Sequence, residues 1–263
     1  MAIYTDFHSH VSYSSAYEMV QAAREKGLRT LGLSEHIFQM REARPLLEHL
    51  PVEGPLLTFA SYVEQVQAAA RDLQFDVRLG LEVDFIPGKN AGIQDALQGY
   101  PWDFLIGSVH EIAGTLFERG NRWTREQGEQ FWLRYFKLLR EAVMSGYFSL
   151  ISHPIRMRVC NPYLPPALDE ELEQVAAEAA RCDVALEING FDVAHYPDLV
   201  RRLARACALQ RTPISVGSDA HRPREIAQSH VPSETILHEA GISTVRIWKQ
   251  RQAEEYAIED VAS

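Results

Sequence analysis

Short apolar runs alternate with longer amphipathic segments along most of this chain. Strand-like runs cover residues 3–10, 31–36, 77–84, 103–110, 147–154, 183–188 and 213–221. Helical patterns, with apolar residues three and four apart, cover residues 18–26, 59–73, 125–144, 169–181 and 198–210. Strands that alternate with helices in this way predict a parallel sheet with helical crossover connections.

A further apolar run at residues 244–248 brings the number of predicted strands to seven or eight, the number at which a sheet closes into a barrel. The chain has 263 residues, 46% of them hydrophobic, which is ordinary for an α/β barrel. No Gly/Ser-rich linker or change of composition divides it. The sequence therefore predicts a single α/β barrel domain over residues 1–263.

Charged and imidazole side chains occur at the C-terminal ends of the strand-like runs. In the segment Asp6-Phe7-His8-Ser9-His10, residues two apart point to the same face of a strand, so His8 and His10 can grip one cation. Asp6 is expected on that face too, where it would accept the N–H of a ligand imidazole. The alternative is a polar strand end with two solvated histidines.

Five further runs end in the same way. Their candidate residues are His36, Glu82, His110, His153, Asp219 and His221. Hydrophobic residues flank Glu82, and a buried carboxylate needs a partner because burying a lone charge is costly. For any one run, a hydrogen-bonded histidine at the edge of the core is an equally good interpretation. All six runs together favour a metal site at the C-terminal ends of the barrel strands, where active sites of such barrels lie.

These motifs, in this order and spacing, resemble those of the polymerase and histidinol phosphatase (PHP) family of metal-dependent phosphoesterases. The segments that carry the resemblance are 6–10, 34–36, 80–82, 107–110, 152–154 and 217–221. The resemblance implies a distorted seven-stranded, TIM-like barrel of the (β/α)7 type that holds up to three metal ions.

The same resemblance implies three groups of metal ligands. The groups are His8, His10, Glu82 and Asp219 for the first metal; Glu82, as a bridge, with His110 and His153 for the second; and His36 and His221 for the third. Family members often have another His or Asp shortly after the first motif, whereas residues 11–18 of this chain contain neither. The third site is therefore expected to be weaker or completed by water. The chain also has Glu35 where Asp is more usual.

The ligand types indicate which metals to expect. Imidazole-rich, carboxylate-bridged sites suit zinc, iron or manganese better than magnesium or calcium, so two to three such transition-metal ions are the predicted cofactors. Neighbouring metals lower the pKa of a shared water and polarise a phosphoryl oxygen, and a bridging hydroxide would attack phosphorus. The sequence contains no Gly-x-Ser-x-Gly elbow and no P-loop.

A phosphate group also needs cationic side chains. Arg156 and Arg158 follow the fifth motif, and Arg119 and Arg122 form a second pair. The planar guanidinium matches phosphate oxygens in a bidentate manner, although each arginine is equally compatible with a solvated surface position. We favour Arg156 or Arg158 as the phosphate ligand. His221 or a metal-bound water is the candidate proton donor to the leaving group.

The chain length, without an appended domain, is most similar to the stand-alone histidinol-phosphate phosphatases of the family. This resemblance implies hydrolysis of L-histidinol phosphate to L-histidinol and phosphate, a step of histidine biosynthesis. The net charge of −10 is compatible with a cationic substrate. Glu111, Glu118 and Asp84 are candidates to meet its ammonium group, and the sequence does not select among them.

Three other functions stay open. The first is a phosphoesterase of the same family that acts on nucleotides or other small phosphate esters. The second is an amidohydrolase, which commonly uses a bridging lysine, and no lysine lies at a strand end here. The third is a metal-stabilised barrel without catalysis, which would be expected to have lost some of its ligands.

Composition also bears on partners and location. An acidic chain without a basic stripe argues against nucleic-acid binding, so a small phosphorylated substrate is the expected partner. Neither a membrane span nor a leader pattern is visible, and the three cysteines lack Cys-x-x-Cys spacing, which predicts a cytoplasmic protein. The aromatic residues Trp123, Phe131 and Trp132 are expected to pack a helix on the barrel, and are also compatible with a homo-oligomer contact.

Overall fold

A computed structural model describes residues 2–52, 54–116 and 123–259 of the chain. Its strands are β1 Thr5–Asp6, β2 Thr30–His36, β3 Asp76–Asp84, β4 Phe104–Ser108, β5 Glu111–Ile112, β6 Thr115–Leu116, β7 Leu150–Ile151, β8 Ala185–Asn189, β9 Ile214–Gly217, β10 Thr244–Lys249 and β11 Gln252–Ala257. Its helices are α1 Ala16–Glu25, α2 Arg44–Leu47, α3 Phe59–Leu73, α4 Asn90–Leu97, α5 Arg125–Met144, α6 Leu168–Cys182, α7 Gly190–His195, α8 Pro197–Gln210 and α9 His230–Glu239. Short 3-10 helices are Ile37–Gln39, Arg156–Val159 and Pro223–Glu225.

Seven parallel strands form one sheet in the order β1-β2-β3-β4-β7-β8-β9. The residues that follow β1 also pair with β9 and with the residues that follow β9. Phe7 N–H donates to Val216 O at 2.9 Å, and His10 N–H donates to Ala220 O at 2.8 Å. These bonds join the two ends of the sheet. The predicted distorted seven-stranded α/β barrel is therefore confirmed.

The five predicted helices are confirmed as α1, α3, α5, α6 and α8, with ends that differ from the prediction by at most two residues. Side-chain capping explains where two of them begin. Thr58 accepts the N–H of Ser61 at the start of α3, and Thr124 accepts the N–H of Gln127 at the start of α5. Such caps satisfy amide groups that have no partner within the helix.

The helices cover the outside of the barrel with their apolar faces. The longest, α5, buries Trp132, Tyr135 and Phe136, and the Trp132 ring stacks on Phe136 at a centroid distance of 5.4 Å. The predicted packing role of Trp132 is therefore confirmed. Within the described ranges, no helix combines the length and the apolar character needed to cross a membrane.

The strand predicted at residues 244–248 exists as β10, but it does not belong to the barrel. It pairs with β11 as an antiparallel hairpin. Trp248 of this hairpin reaches the barrel interior, where its ring stacks on Phe104 at 6.3 Å, and Arg251 N–H donates to Asp103 O just before β4 begins. The hairpin therefore closes the N-terminal end of the barrel.

A cluster of apolar side chains joins the inside of the barrel to the hairpin. Its members are Phe7, Phe104, Ile106, Leu150, Ala185, Ile247 and Trp248. The Phe104 ring fits because Gly80 on the neighbouring strand has no side chain: a Cβ there would lie 2.3 Å from Phe104 Cζ. Since real carbon atoms do not approach so closely, a side chain at this position would displace the ring.

We expect Gly80→Ala to lower the free energy of unfolding by about 1–3 kcal/mol, the usual cost of overpacking a core. Urea unfolding would measure the change. Adding Phe104→Leu should recover part of the loss, since the two positions are in contact and their effects should not add. Gly92→Ala is the control, because the nearest atoms to its added Cβ are Leu46 side-chain carbons at 3.3 Å. An equal loss at both glycines would contradict this account.

Candidate metal centre

The predicted metal ligands converge at the C-terminal end of the barrel. They come from the segments that follow β1, β4, β7 and β9, from the last residue of β2, and from the interior of β3. The residues are His8, His10, His36, Glu82, His110, His153, Asp219 and His221. Positions as far apart as 8 and 221 in the sequence are therefore neighbours in space.

Three groups of donor atoms lie close enough to hold metal ions, each with its atoms within 4.8 Å of one another. The groups are His8, His10 and Glu82; Glu82, His110 and His153; and His10, His36 and His221. Asp219 adjoins the first group, with Oδ1 at 3.2 Å from His10 Nε2 and 3.7 Å from His8 Nε2. This grouping follows the one implied by the family resemblance, except that His10 also lies near the third group.

Glu82 is the carboxylate at the centre of this arrangement and is 1% exposed. Its Oε2 lies 2.6 Å from His36 Nδ1 and 3.4 Å from His8 Nε2, and its Oε1 lies 3.4 Å from His110 Nε2 and 3.2 Å from His153 Nε2. Burial acts to raise the pKa of Glu82, but the imidazoles of His36, His8 and His110 outweigh it and hold that pKa well below its usual value. The carboxylate is therefore ionised and able to bridge two cations.

A second observation also indicates that these donor atoms can hold a metal ion. Three of these converging atoms, Glu82 Oε2, His8 Nε2 and His36 Nδ1, are buried and contact one another without the geometry of a hydrogen bond within the described structure. A buried polar atom that makes no hydrogen bond costs about 1–3 kcal/mol, so several of them facing one point indicate a place for a cation. The mixture of imidazoles and carboxylates suits zinc, iron or manganese.

The histidines of the centre differ in charge state. Burial, followed by the nearby Arg156 guanidinium, lowers the pKa of His153 to about 3, so its imidazole is neutral and can act as a ligand. Burial would also lower the pKa of His8, yet the carboxylates of Glu187, Glu82 and Asp219 raise it well above its usual value. A divalent cation in this centre would replace such protons, since metal binding to histidines competes with protonation.

Buried acids orient the outer nitrogens of the ligand histidines. Glu187 Oε1 accepts from His8 Nδ1 at 2.7 Å, and Asp84 Oδ1 accepts from His110 Nδ1 at 2.8 Å. The predicted role of Asp6 is wrong, because its carboxylate accepts the N–H groups of Ser218 and Ala227 instead, at 2.9 Å each. β1 ends at this residue, and the regular alternation of side chains stops there.

The sequence pattern predicts no such role for these acids. It predicts Asp84 only as a candidate partner for the substrate ammonium, and Glu187 only as part of a strand. The available signal was an acidic residue within a run of hydrophobic ones, as for Glu82. Glu35 lacks that signal because it stands between a serine and a histidine, yet it is also buried, with its Oε1 3.6 Å from His10 Nδ1.

Two candidate ligands have backbone angles in the left-handed region, which L-residues other than Gly adopt infrequently. The φ angle is 30° at His153 and 59° at Asp219. The Tyr135 hydroxyl donates to the carbonyl of His153 at 3.0 Å, and the Asp219 N–H donates to the carbonyl of His8 at 2.8 Å. Unusual backbone angles held by surrounding contacts are common at functional sites.

A cavity of about 450 Å³ opens above these donors. Its deep wall includes Glu82, His110, His153, Asp219 and His221. Apolar residues form much of the remaining wall, namely Phe38, Leu50, Pro51, Leu116, Val159 and Phe191. A small molecule with one polar end and one largely apolar end matches this lining.

Of the predicted arginines, Arg156 lines the cavity. Its guanidinium donates to Asn189 Oδ1 at 2.9 Å, to Asp219 Oδ2 at 2.8 Å and to Asp192 Oδ1 at 3.1 Å. Arg158 is placed differently, with its guanidinium over the Tyr196 ring at 5.2 Å, and it is not among the cavity residues.

Four other predicted candidates are Arg119, Arg122, Glu118 and Glu111. Arg119, Arg122 and Glu118 lie outside the described residues. Glu111 Oε2 contacts His49 Nε2 at 2.9 Å and does not line the cavity.

Comparisons with known proteins agree with this geometry. The family model for the PHP domain matches residues 6–190. A probable histidinol-phosphatase from Deinococcus radiodurans is 31% identical over 87% of this chain and 88% of its own length. A probable phosphatase from Shewanella sediminis is 26% identical over 84% of this chain and 79% of its own.

A solved structure has a similar fold. The crystal structure of histidinol phosphate phosphatase from Lactococcus lactis, complexed with zinc, L-histidinol and phosphate, matches 95% of this chain and 98% of its own, with a TM-score of 0.80 at 20% identity. At that identity the match concerns the fold. Because the family model covers more than half of the chain and a 31% identical relative aligns along most of it, this protein belongs to the PHP domain family.

Proposed function

We propose that this PHP-domain phosphatase hydrolyses L-histidinol phosphate to L-histidinol and inorganic phosphate. The observation that carries the proposal is its similarity to a probable histidinol-phosphatase along nearly the whole of both chains. The fold match to an enzyme whose structure contains L-histidinol and phosphate supports it. The reaction would belong to histidine biosynthesis.

The proposed cofactors are two to three ions of zinc, iron or manganese. The first position would be held by His8, His10, Glu82 and Asp219, and the second by Glu82, His110 and His153, while His36 and His221 would contribute to the third. Bound ions of this kind supply a Lewis acid that polarises a phosphoryl oxygen and lowers the pKa of water. The zinc in the similar structure supports this choice of metals.

Arg156 is the proposed phosphate ligand. It lies on the cavity wall beside the metal donors, and its contacts with Asn189 and Asp192 fix the direction of the guanidinium. Burial acts to lower the pKa of Arg156, but the carboxylates of Asp192 and Asp219 raise it above its usual value, so the group stays charged. Its Nη1, which takes part in none of the contacts with Asn189, Asp192 and Asp219, is the nitrogen proposed to donate to the phosphoryl oxygens.

His221 is the proposed proton donor to the leaving alkoxide when it is not serving as a ligand. It lines the cavity, and its Nδ1 lies 3.0 Å from the carbonyl oxygen of Asp219. Since a carbonyl oxygen only accepts hydrogen bonds, His221 donates from Nδ1. Its Nε2 is then the nitrogen that can face a cation or, when protonated, the leaving oxygen.

Phosphate release tests the substrate. Protein with quantified bound metal should release phosphate from L-histidinol phosphate at a kcat/KM at least about 100-fold above that for a nucleoside monophosphate or an aryl phosphate, because an enzyme discriminates between such esters through its contacts with the organic group. Turnover of nucleotides alone would replace the proposed substrate. Metal-loaded protein that hydrolyses none of these esters would contradict phosphatase activity itself.

We expect Glu82→Gln to remove bound metal and to reduce phosphatase activity by at least about 100-fold, more than is typical when a group behind a ligand is changed. The amide cannot supply two anionic oxygens to neighbouring cations. Elemental analysis and phosphate release measure the two effects, and circular dichroism monitors the fold. Glu178→Gln, on the outer face of α6, should change neither. A metal-replete, active Glu82→Gln protein would rule out the bridging assignment.

We expect Arg156→Ala to raise KM for a phosphorylated substrate by about 10- to 100-fold, corresponding to loss of a hydrogen bond between charged groups. Arg156→Lys should recover only part of the loss, because an ammonium lacks the planar fork. Steady-state kinetics with Arg158→Ala as the control would measure the difference. Equal effects at the two arginines would place the phosphate ligand elsewhere.

A further inference from the structure

Glu187 occupies the interior of β8 and is 1% exposed. Both of its carboxylate oxygens are engaged. Oε1 accepts from His8 Nδ1 at 2.7 Å, while Oε2 accepts the backbone N–H of His153 at 2.7 Å and the side-chain amide of Asn189 at 3.1 Å. This one side chain therefore makes three buried hydrogen bonds, all to groups at the candidate metal centre.

The partners of Glu187 belong to different parts of that centre. His8 lies in the donor group with His10 and Glu82, whereas His153 lies in the group with Glu82 and His110. Asn189 in turn accepts from Arg156 Nη2 at 2.9 Å. By contrast, Asp84 Oδ1 bonds one ligand histidine, His110.

Each contact of Glu187 controls one property of a ligand. A carboxylate only accepts hydrogen bonds, so His8 must donate from Nδ1. This leaves Nε2, which lies 3.4 Å from Glu82 Oε2, as the nitrogen available to a cation. The contact with the N–H of His153 holds a residue whose φ angle is 30°. Glu187 thus selects the tautomer of one ligand and fixes the backbone of another.

The neighbouring strand leaves room for the pair formed by Glu187 and His8. A Cβ on Gly217 would lie 2.4 Å from Glu187 Oε1 and 2.3 Å from His8 Cβ. The absence of a side chain at position 217 is therefore a steric condition for the contact.

We propose that Glu187 is a positioning residue that supports both metal positions at once, through the His8 ring and through the His153 backbone. The inference rests on the metal ligands proposed above. Loss of Glu187 should weaken the binding of two metal ions together. Loss of an acid that bonds one ligand histidine should weaken the binding of one.

The test measures metal binding by the full-length protein, stripped of metal and titrated with Zn²⁺ in competition with a chromogenic chelator. Glu187→Ala should bind each of the two tightest equivalents about 10- to 100-fold more weakly than the unchanged protein, the usual effect of losing a group behind a ligand. Asp84→Ala should weaken one equivalent only. Ser215→Ala is the matched control, since Ser215 is buried directly opposite Glu187 in the register of β8 and β9, and it should change neither.

The proposal would be overturned if the Glu187→Ala protein bound both equivalents of Zn²⁺ as tightly as the unchanged protein. It would also be overturned if Glu187→Ala weakened one equivalent only, as expected for Asp84→Ala. If Glu187→Ala does not fold, Glu187→Leu decides. Leucine keeps most of the side-chain volume but accepts no hydrogen bond, so both equivalents should again be weakened. Wild-type binding of both equivalents, or weakening of one alone, by a folded Glu187→Leu protein would reject the role. These titrations need no substrate, so they are independent of the proposed phosphatase reaction.

Discussion

The burial of an ionised carboxylate, Glu82, is the constraint on which the mouth of this barrel depends. An unpaired charge at that depth would cost more than the fold can supply, so it requires partners that approach from several directions. The partners are imidazoles supplied by the ends of different strands. Only a closed sheet brings those ends within a few ångströms of one another, so closure of the barrel and formation of the site are the same requirement.

Much of this architecture was visible in the sequence because each element has a local signature. The run that became β3 is long and apolar, and Glu82 stands out within it as a carboxylate that needs partners. The predicted helix ends lie within two residues of the observed ones, and in α3 and α5 the starts are fixed locally by the capping residues Thr58 and Thr124. The hairpin at the end of the chain was assigned to the barrel because alternating side chains do not reveal which strand is the partner.

What the sequence could not provide were contacts between residues that are distant along the chain. Glu187 is 179 residues from the imidazole it orients. The error at Asp6 has a different cause: reasoning from a period of two assumes a regular strand, and β1 ends at that residue. Arg156 and Arg158 are two positions apart and are equally plausible phosphate ligands in the sequence. Arg156 lines the cavity, where it contacts side chains that are more than 30 positions away.

The hairpin of β10 and β11 has a consequence for how a substrate enters the site and how its products leave. Because Trp248 and its neighbours fill the far end of the barrel, the described part of the cavity is closed towards the N-terminal ends of the strands. A phosphate ester that bound with its phosphoryl group against the metal donors would point its organic part outwards. After cleavage the alcohol would then depart before phosphate, and free phosphate would be the product that competes directly with substrate for the protein.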